Sequence, residues 1–434
     1  MEANKHYKEI PLNISNEYIS IDTNNVTNFT HGLHKYPGKF IPQIPQWALK
    51  KYIKSKNDIV LDPFMGSGTT LVESLIYGVK SYGVDIDPLS CLISKVKTTP
   101  LDTNLIEKIY KWIMVQKECV TPYRPQISTL EHWFSQDAIL KLGKLRTCID
   151  MICEKFKDVE NINDYYDMYI IALSSIIRRV SNADNQSQKT YVSGTKKKIP
   201  AETYNLFDKQ IKNYIKAFNN LNSVWDHKTH ASVVLSEGEA NINHLKELPS
   251  KVDLVITSPP YIKSIDYVYN QMAELFWIGD LFDMQNQQKQ NVKRKKYIGS
   301  TLVGKDKYKY FSLKNVQLDS QQLLDYLKLI LQDKKNGQKH AYIVNKYFNF
   351  MNKHFSSIFS MLSHGGKYVL TIGNSKVSKI NIPTSEILKE LAVLNGFEIS
   401  NEWEYKIKNH YMGFNRQNKG GKIKVDHVIT LEKK

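Results

Sequence analysis

A strand, a glycine-rich turn and a helix follow one another between residues 59 and 77, and this unit constrains the fold more than any other stretch. The apolar residues 59–61 predict a buried strand, residues 62–70 a turn, and residues 71–77 a helix. Gly66 and Gly68 allow the backbone of the turn to come close to a ligand. The lysine of a phosphate-binding loop is missing, and the glycine spacing differs from the dinucleotide-binding pattern. The unit therefore predicts an α/β fold of Rossmann type with a ligand at the end of the strand.

A second strand that ends in acidic residues follows about one helix later, in the stretch Tyr82-Gly-Val-Asp-Ile-Asp-Pro. An acidic residue at this tip accepts hydrogen bonds from ribose hydroxyls in Rossmann-like units. Asp85 is the better candidate because alternation places it just past the strand. Asp87 is equally well explained as the N-cap of the next helix, with Pro88 at the first helical position.

The apolar residues 254–256 predict another buried strand, and the tetrapeptide Ser258-Pro259-Pro260-Tyr261 follows it. Two consecutive prolines have fixed φ and no N–H group, so this backbone is stiff and presents bare carbonyls. A tyrosine ring beside them can stack on a planar group. The arrangement predicts a binding site for a planar amine. The serine and a proline carbonyl would accept hydrogen bonds from the amine. The alternative is a Pro-Pro turn that closes the strand, with Tyr261 packed on the surface.

Two of these stretches resemble motifs of the amino-group DNA methyltransferases. Residues 258–261 resemble the catalytic motif of that family, and Phe64-x-Gly66-x-Gly68 resembles its S-adenosylmethionine motif. The resemblance implies an S-adenosylmethionine-dependent methyltransferase fold, in which Ser258, Pro259, Pro260 and Tyr261 are catalytic. A leading serine resembles the cytosine-N4 branch more than the adenine-N6 branch. We therefore expect methyl transfer to the N4 amine of a flipped-out cytosine within a restriction-modification system, and adenine N6 is the first alternative.

The same resemblance implies a cofactor site built from several segments. The glycines would admit the cofactor to the backbone, and Asp62 would face its charged amino-acid end. Residues 31–42 are similar to a segment that lines the methionine end in a subset of the family, although a clamp packed on the sheet is the alternative. Glu239 aligns with an acid that contacts adenine, although it could also belong to a charged surface turn. The complete set is Tyr36, Lys39, Asp62, Phe64, Gly66, Gly68, Thr69, Asp85 and Glu239.

The middle of the chain differs from the rest in glycine content and in its hydrophobic pattern. Residues 99–230 contain few glycines and four helical patterns, at 105–116, 136–156, 165–180 and 204–221, without an evident βαβ unit. We interpret them as a mostly helical insertion and a candidate target-recognition region, with residues 1–98 and 231–434 as the catalytic domain. Strands at 365–372, 399–405 and 425–431 and helices at 340–362 and 385–394 are expected to close the sheet.

The charge of the chain suits a polyanion such as double-stranded DNA. Lysine and arginine total 60 against 43 acidic residues, a formal net charge of +17. Arg178 and Arg179 precede a stretch rich in Asn, Gln, Ser and Lys that reaches residue 198. Such a stretch can bind phosphates and read bases, and the alternative is a solvated loop between helices. The polar run 285–296 ends in Lys293, Arg294, Lys295 and Lys296. We expect a mobile, solvated loop there, or alternatively a loop that follows the phosphate backbone.

Several other kinds of chemistry are not expected. The four cysteines show no metal-binding spacing, so we expect no metal site, and the Pro-Cys loop of cytosine-C5 enzymes is absent. Without a signal-peptide pattern or a run of about 18 apolar residues, we expect a cytoplasmic protein with no membrane contact. A cognate restriction endonuclease is a possible partner. A guanine-N2 RNA methyltransferase and a non-catalytic DNA-binding protein on the same scaffold are the remaining alternatives.

Overall fold

The computed structural model describes residues 7–185, 189–195, 198–263, 266–407 and 423–434. Residues 186–188 and 196–197 of the predicted DNA-contact stretch lie outside these ranges. The strands are β1 Tyr18–Ile19, β2 Ile59–Asp62, β3 Lys80–Asp85, β4 Ala231–Leu235, β5 Val252–Thr257, β6 Leu362–Ile372, β7 Ser375–Val377, β8 Ile380–Ile382, β9 Glu398–Lys406 and β10 Val425–Glu432. The α-helices are α1 Gln43–Tyr52, α2 Thr69–Tyr77, α3 Pro88–Thr98, α4 Thr103–Gln116, α5 Leu130–Trp133, α6 Gln136–Asp150, α7 Ile152–Lys155, α8 Ile162–Val180, α9 Thr203–Asn222, α10 Tyr267–Asn270, α11 Met272–Ile278, α12 Gln287–Lys296, α13 Lys305–Tyr308, α14 Gln321–Leu331, α15 Gly337–Met361 and α16 Thr384–Leu394.

Eight of these strands form one sheet in the order β1-β9-β10-β6-β5-β2-β3-β4. The strands from β4 to β6 run parallel, and β10 pairs antiparallel with both β6 and β9. The chain proceeds from β2 outward to β3 and β4, and it later returns to β5 on the other side of β2. The loops after β2 and β5 therefore leave two neighbouring strands at the same edge of the sheet and continue in different directions. Ligands bind at such an edge in open α/β sheets. The predicted Rossmann-like α/β fold is confirmed.

The parallel strands are covered on both faces, as their continuous apolar sequences require. Successive residues alternate between two cores. Val60 and Ile256 belong to a core that includes Trp47 of α1, whereas Leu61 and Val255 belong to a core formed with α14, α15 and α16. This alternation follows from the twofold period of side chains along a strand.

Local sequence signals explain where the helices next to the strand ends begin and stop. Asp87 caps α3, because its Oδ1 accepts the N–H of Leu89 at 3.0 Å, and Pro88 occupies the first helical position. Helix α2 ends at Gly78, whose φ of +78° is favourable for glycine, and the N–H of Gly78 donates to the carbonyls of Ser74 and Leu75. These caps fix the directions in which both helices leave the sheet edge.

Residues 99–230 contain helices α4 to α9, and no strand of the sheet lies among the described part of that range. These helices share one apolar core with Ile93 of α3 and with Ala273 and Trp277 of α11. The helical region is thus packed on elements that flank the sheet edge. The division into a catalytic domain and a target-recognition region stays a prediction.

The prediction of a loop at residues 285–296 is wrong, because most of these residues form helix α12. The side chain of Asn286 accepts the N–H of Lys289 at 3.0 Å and caps the helix, while Gln290 is buried and donates to the carbonyl of Met284. One further difference is an interruption, because the helical pattern at 136–156 breaks at Met151 into α6 and α7.

Candidate functional site

A cleft opens at the carboxyl ends of β2, β3 and β5. It brings together residues that lie far apart in the chain, including both the glycine turn and the catalytic-like tetrapeptide. The sequence-predicted residues that line it are Tyr36, Lys39, Phe64, Gly66, Thr69, Asp85, Glu239, Ser258 and Pro260. Asp62, Gly68, Pro259 and Tyr261 lie next to this lining.

The glycine turn is held in place by side chains of α3. Ser94 Oγ donates to the carbonyl of Gly66 at 2.9 Å, and the buried Lys97 Nζ donates to the carbonyl of Ser67 at 2.9 Å. Gly68 has a φ of +74°, and an added Cβ would lie 2.8 Å from Ser94 Oγ. Only glycine allows this packing without a shift of backbone or neighbour. Gly68 therefore shapes the turn from behind, whereas Gly66 faces the cleft.

The carboxylate of Asp62 lies behind the turn and connects the two motifs. Thr70 Oγ1 and Thr257 Oγ1 each donate to it at 2.6 Å, and the N–H of Phe64 donates at 3.1 Å. Burial raises the pKa of Asp62 to about 6, although these hydrogen bonds favour the ionised form. Because Thr257 immediately precedes Ser258, Asp62 fixes the spacing between the glycine turn and the tetrapeptide. The direct cofactor contact predicted for Asp62 stays a prediction.

Asp85 reaches the cleft from the tip of β3. Its Oδ2 accepts the N–H of Gly66 at 2.9 Å, and its Oδ1 accepts the N–H of Asp87 at 2.8 Å. Burial, followed by the neighbouring Asp87 carboxylate, raises the pKa of Asp85 to about 7. Each carboxylate oxygen can accept more than one hydrogen, so Asp85 keeps capacity for a hydroxyl donor.

The segment around Tyr36 both lines the cleft and packs on the fold. The Tyr36 hydroxyl accepts a hydrogen bond from Ser90 Oγ at 2.9 Å, and its ring stacks on Tyr267 with centroids 5.5 Å apart. Lys39 Nζ donates to the carbonyl of His31 at 3.0 Å, and burial lowers the pKa of Lys39 to about 8. The segment therefore lines the cleft and also packs on the fold like a clamp, so each of the two interpretations describes part of its geometry.

At the β4 end, the cleft becomes an aromatic slot that the sequence did not predict. The ring of Phe64 packs against the rings of His354 and Phe350 at centroid distances of 4.8 and 6.2 Å. Burial lowers the pKa of His354 to about 3, so its ring is neutral at neutral pH. Glu239 lies beside this slot, and its buried Oε2 has no hydrogen-bond partner within the described ranges. Phe350 and His354 are four positions apart and therefore lie on one face of α15. This spacing can be seen in the sequence, but it does not indicate what the face contacts.

The tetrapeptide is anchored by the last strand of the sheet. Asp426 on β10 receives hydrogen bonds from the Tyr261 hydroxyl at 2.7 Å and from the Tyr405 hydroxyl at 2.9 Å. The Tyr261 ring also lies against Gly373, where an added Cβ would come within 3.1 Å of Cε2. The phenol is therefore fixed at its tip and along one edge, while Ser258 and Pro260 face the cleft.

The candidate DNA-contact residues lie at the border of the cleft and beyond it. On α12, Arg294 pairs with Asp266, and Lys296 pairs with Glu237 and lines the cleft. Lys293 is half-buried and Lys295 is exposed. Arg178 donates to the carbonyls of Asp184 and Lys189 at 3.0 and 3.1 Å, and the neighbouring Arg179 is exposed. The two arginines line a different cavity from the cleft.

Two kinds of feature are absent from the part of the chain that the structure describes. Within these ranges, no group of three or more His, Cys, Asp or Glu side chains is arranged to hold a metal ion. Over the same residues, every helix is too short or too polar to cross a lipid bilayer.

Comparison with known proteins identifies relatives of this architecture. The family model for N6 and N4 methyltransferases, described as DNA methylase, matches residues 4–96. The type II methyltransferase M.MvaI of Kocuria varians is 26% identical over 401 residues, which cover 88% of this chain and 84% of that protein. M.BsoBI of Geobacillus stearothermophilus is 24% identical over 86% of this chain and 80% of its own length. M.MjaII of Methanocaldococcus jannaschii is 48% identical over 83 residues, 19% of this chain and 16% of that protein. The resemblance to the amino-group DNA methyltransferases, whose methyl donor is S-adenosylmethionine, is therefore confirmed.

Proposed function

We propose that this chain is a site-specific DNA methyltransferase that methylates the N4 amine of a flipped-out cytosine, as the modification enzyme of a type II restriction-modification system. The observation that carries the proposal is the shared cleft, which the glycine turn and the Ser258 tetrapeptide enter from neighbouring strand ends. The family covers both cytosine-N4 and adenine-N6 transfer. The serine at position 258 favours cytosine, as the resemblance of the tetrapeptide implies.

The residues of the cleft fit S-adenosylmethionine. Gly66 offers backbone without a side chain, and an added Cβ there would lie 3.1 Å from the Tyr36 ring. Asp85 offers acceptor capacity for ribose hydroxyls, and the unpartnered Oε2 of Glu239 offers an acceptor for the adenine amine beside the aromatic slot. Lys39 supplies a cation for a carboxylate at the other end. Thr69 completes the lining, while Asp62 and Gly68 shape the turn from behind.

The bound cofactor supplies an activated methyl group on a sulfonium, so the protein has to supply position and hydrogen bonds. Ser258 Oγ and the carbonyl of Pro259 accept the amine hydrogens of the target base. Holding these hydrogens out of the ring plane returns electron density to the nitrogen, whose lone pair is otherwise delocalised. Pro259 and Pro260 keep this backbone stiff, and the anchored ring of Tyr261 provides the surface on which the base stacks.

DNA reaches the cleft with its target base out of the helix, because the amine cannot react inside the base stack. We propose that Lys293, Lys295 and Lys296 contact phosphates along α12, and that Arg178 and Arg179 contact DNA from the helical region. The DNA contact predicted for Arg294 stays a prediction, since its side chain is engaged with Asp266. A net charge of +17 supports a polyanion substrate.

The test is to incubate plasmid DNA and, in a parallel reaction, cellular RNA with cofactor that carries a labelled methyl group, digest each nucleic acid, and separate the nucleosides by chromatography. We expect labelled N4-methylcytosine, and none with Ser258→Ala. Labelled N6-methyladenine would transfer the assignment to adenine. Label in RNA alone, as methylguanine, would contradict a DNA substrate, and no label in either nucleic acid would favour the non-catalytic alternative.

A further inference from the structure

A second cavity, of about 420 Å³, lies on the other side of Tyr36 from the cleft. Tyr36 lines both cavities. The walls of the second cavity come from residues 32–37, from α8 and α9, and from the connection between α10 and α11. Of the residues to which the proposed function gives a catalytic or cofactor role, Tyr36 alone belongs to it. Arg178 and Arg179, which we propose contact DNA, also line the cavity, but the proposed function gives the cavity itself no ligand.

Two buried acceptors line this cavity without a donor. Gln271 and Glu274 are 6% and 7% exposed, and Gln271 Oε1 and Glu274 Oε2 have no hydrogen-bond partner among the described residues. The orientation of the Gln271 amide is fixed, because its Nε2 donates to Asp87 Oδ2 at 2.8 Å. Gln271 Oε1 is therefore the amide atom that lacks a hydrogen-bond partner among the described residues. Buried acceptors of this kind are costly unless a ligand or water donates to them.

The two residues are three positions apart at the start of α11, a spacing that puts side chains on one helix face. The pair thus presents an amide oxygen and a carboxylate oxygen side by side. Two basic side chains also line the cavity: Arg178 is held by the carbonyls of Asp184 and Lys189 and interacts electrostatically with Glu274, and Arg179 is exposed. Burial raises the pKa of Glu274 to about 7, so a donor ligand would also favour its ionised form.

We propose that this cavity receives the guanine left unpaired when the target cytosine leaves the helix, with the guanine 2-amino group donating to Glu274 and the N1–H donating to Gln271. The inference rests on the proposed cytosine specificity. Among the four bases, guanine alone carries a ring N–H beside an amino group on its pairing edge. Adenine and cytosine would place a ring acceptor against one of the two oxygens, and thymine would place a carbonyl there. The two arginines that line the cavity suit the adjoining phosphate.

The experiment measures kcat/KM on duplexes that carry either guanine or inosine opposite the target cytosine, after the methylated site has been mapped. Inosine lacks the 2-amino group, and it also weakens the base pair. For each enzyme variant, kcat/KM on the guanine duplex is divided by kcat/KM on the inosine duplex. The pairing effect is the same for every variant, so it cancels when this ratio for wild type is divided by the ratio for Glu274→Gln. We expect the resulting quotient to be about ten, the size of one good base contact.

A quotient of one would overturn the inference, and the cavity would then hold water only. Glu247→Gln, an exposed substitution of the same chemistry, is the control and should reproduce the wild-type ratio. If the guanine duplex yields no N4-methylcytosine with wild type, the proposed function fails instead, so the two failures are distinguishable.

A second measurement on the wild-type protein covers the case in which Glu274→Gln does not fold. The guanine opposite the target is replaced by 6-thioguanine, the complex is irradiated, and the crosslinked peptide is identified by mass spectrometry. We expect a crosslink to the peptide that contains Gln271 and Glu274 or to residues 32–37. A crosslink confined to other segments would contradict the placement of the base in this cavity.

Discussion

Asp85 combines two demands that conflict in a buried carboxylate. It lies against the backbone of the glycine turn, where burial raises its pKa to about 7, whereas the contact with ribose hydroxyls that we propose favours its ionised form. Because its folded pKa lies above its ordinary value, the contribution of Asp85 to stability is lost as the pH rises through about 7. Bound cofactor would offset that loss by favouring the ionised form.

We therefore predict that cofactor affinity rises as the pH is raised from about 6 to about 8, since the fraction of ionised Asp85 increases over this range. Asp85→Asn should flatten the dependence, and Asp85→Ala should weaken binding by roughly tenfold to 100-fold, the loss of hydrogen bonds to a charged group. Isothermal titration calorimetry at several pH values measures both effects. Unchanged affinity in Asp85→Ala would remove Asp85 from the cofactor site.

Tyr261 is the residue for which stacking and structure are hardest to separate. Asp426 and Gly373 hold its ring, so truncation removes a packed side chain as well as a stacking surface. We predict that Tyr261→Ala lowers kcat about tenfold or more, as expected for removal of one base-stacking surface, while cofactor affinity stays unchanged. Steady-state methylation and calorimetry measure the two quantities.

Tyr261→Phe is the matched variant, because it keeps the ring and removes only the hydroxyl that donates to Asp426. We expect it to retain most of the activity that Tyr261→Ala loses. An equal fall of cofactor affinity and turnover in Tyr261→Ala would instead make Tyr261 a structural residue of the fold.

Among the elements, α12 shows where the sequence was least informative. Its residues are almost all polar, so no apolar period distinguished a helix from a loop. Contacts distant in the chain stabilise it, namely the pairs that Arg294 forms with Asp266 and Lys296 with Glu237. By contrast, β2, α2 and β5 were predicted closely, because apolar strands, glycines and prolines leave strong local signals.

Replacing Lys293, Lys295 and Lys296 with alanine should reduce the slope of log affinity for DNA against log salt by about 0.9 for each phosphate that is no longer neutralised. Fluorescence anisotropy with a labelled duplex over a range of salt concentrations measures that slope. The matched control replaces Lys54, Lys80 and Lys251, three exposed lysines that precede or begin strands at the opposite edge of the sheet. If both triple variants change the slope equally, α12 has no special place in DNA binding.

Helix α15 illustrates a different limit on prediction from sequence. The helix itself follows from its amphipathic pattern, but the slot that Phe350 and His354 form with Phe64 depends on the register in which α15 packs on the sheet. A single sequence carries no information on that register. The same applies to the buried pair of Gln271 and Glu274, whose cavity exists only because α8, α9 and residues 32–37 meet there.

At the scale of the whole molecule, the helical region shares its apolar core with elements that flank the sheet. The core of α4, α6, α8 and α9 includes Ile93 of α3 and Trp277 of α11. Replacing residues 103–222 by a flexible linker would expose these apolar side chains to water. We predict that the shortened protein loses cooperative unfolding and cofactor binding. Thermal denaturation followed by circular dichroism checks the first property, and a folded, cofactor-binding remainder would show that residues 99–230 are a separable domain.

The most direct test of the shared cleft is a crystal structure of the protein with S-adenosylhomocysteine. We predict that its electron density lies between the glycine turn and Asp85, with the sulfur directed toward Ser258 and the adenine in the slot formed by Phe64 and His354. Density in any other cavity, or with the sulfur directed away from Ser258, would contradict methyl transfer in this cleft.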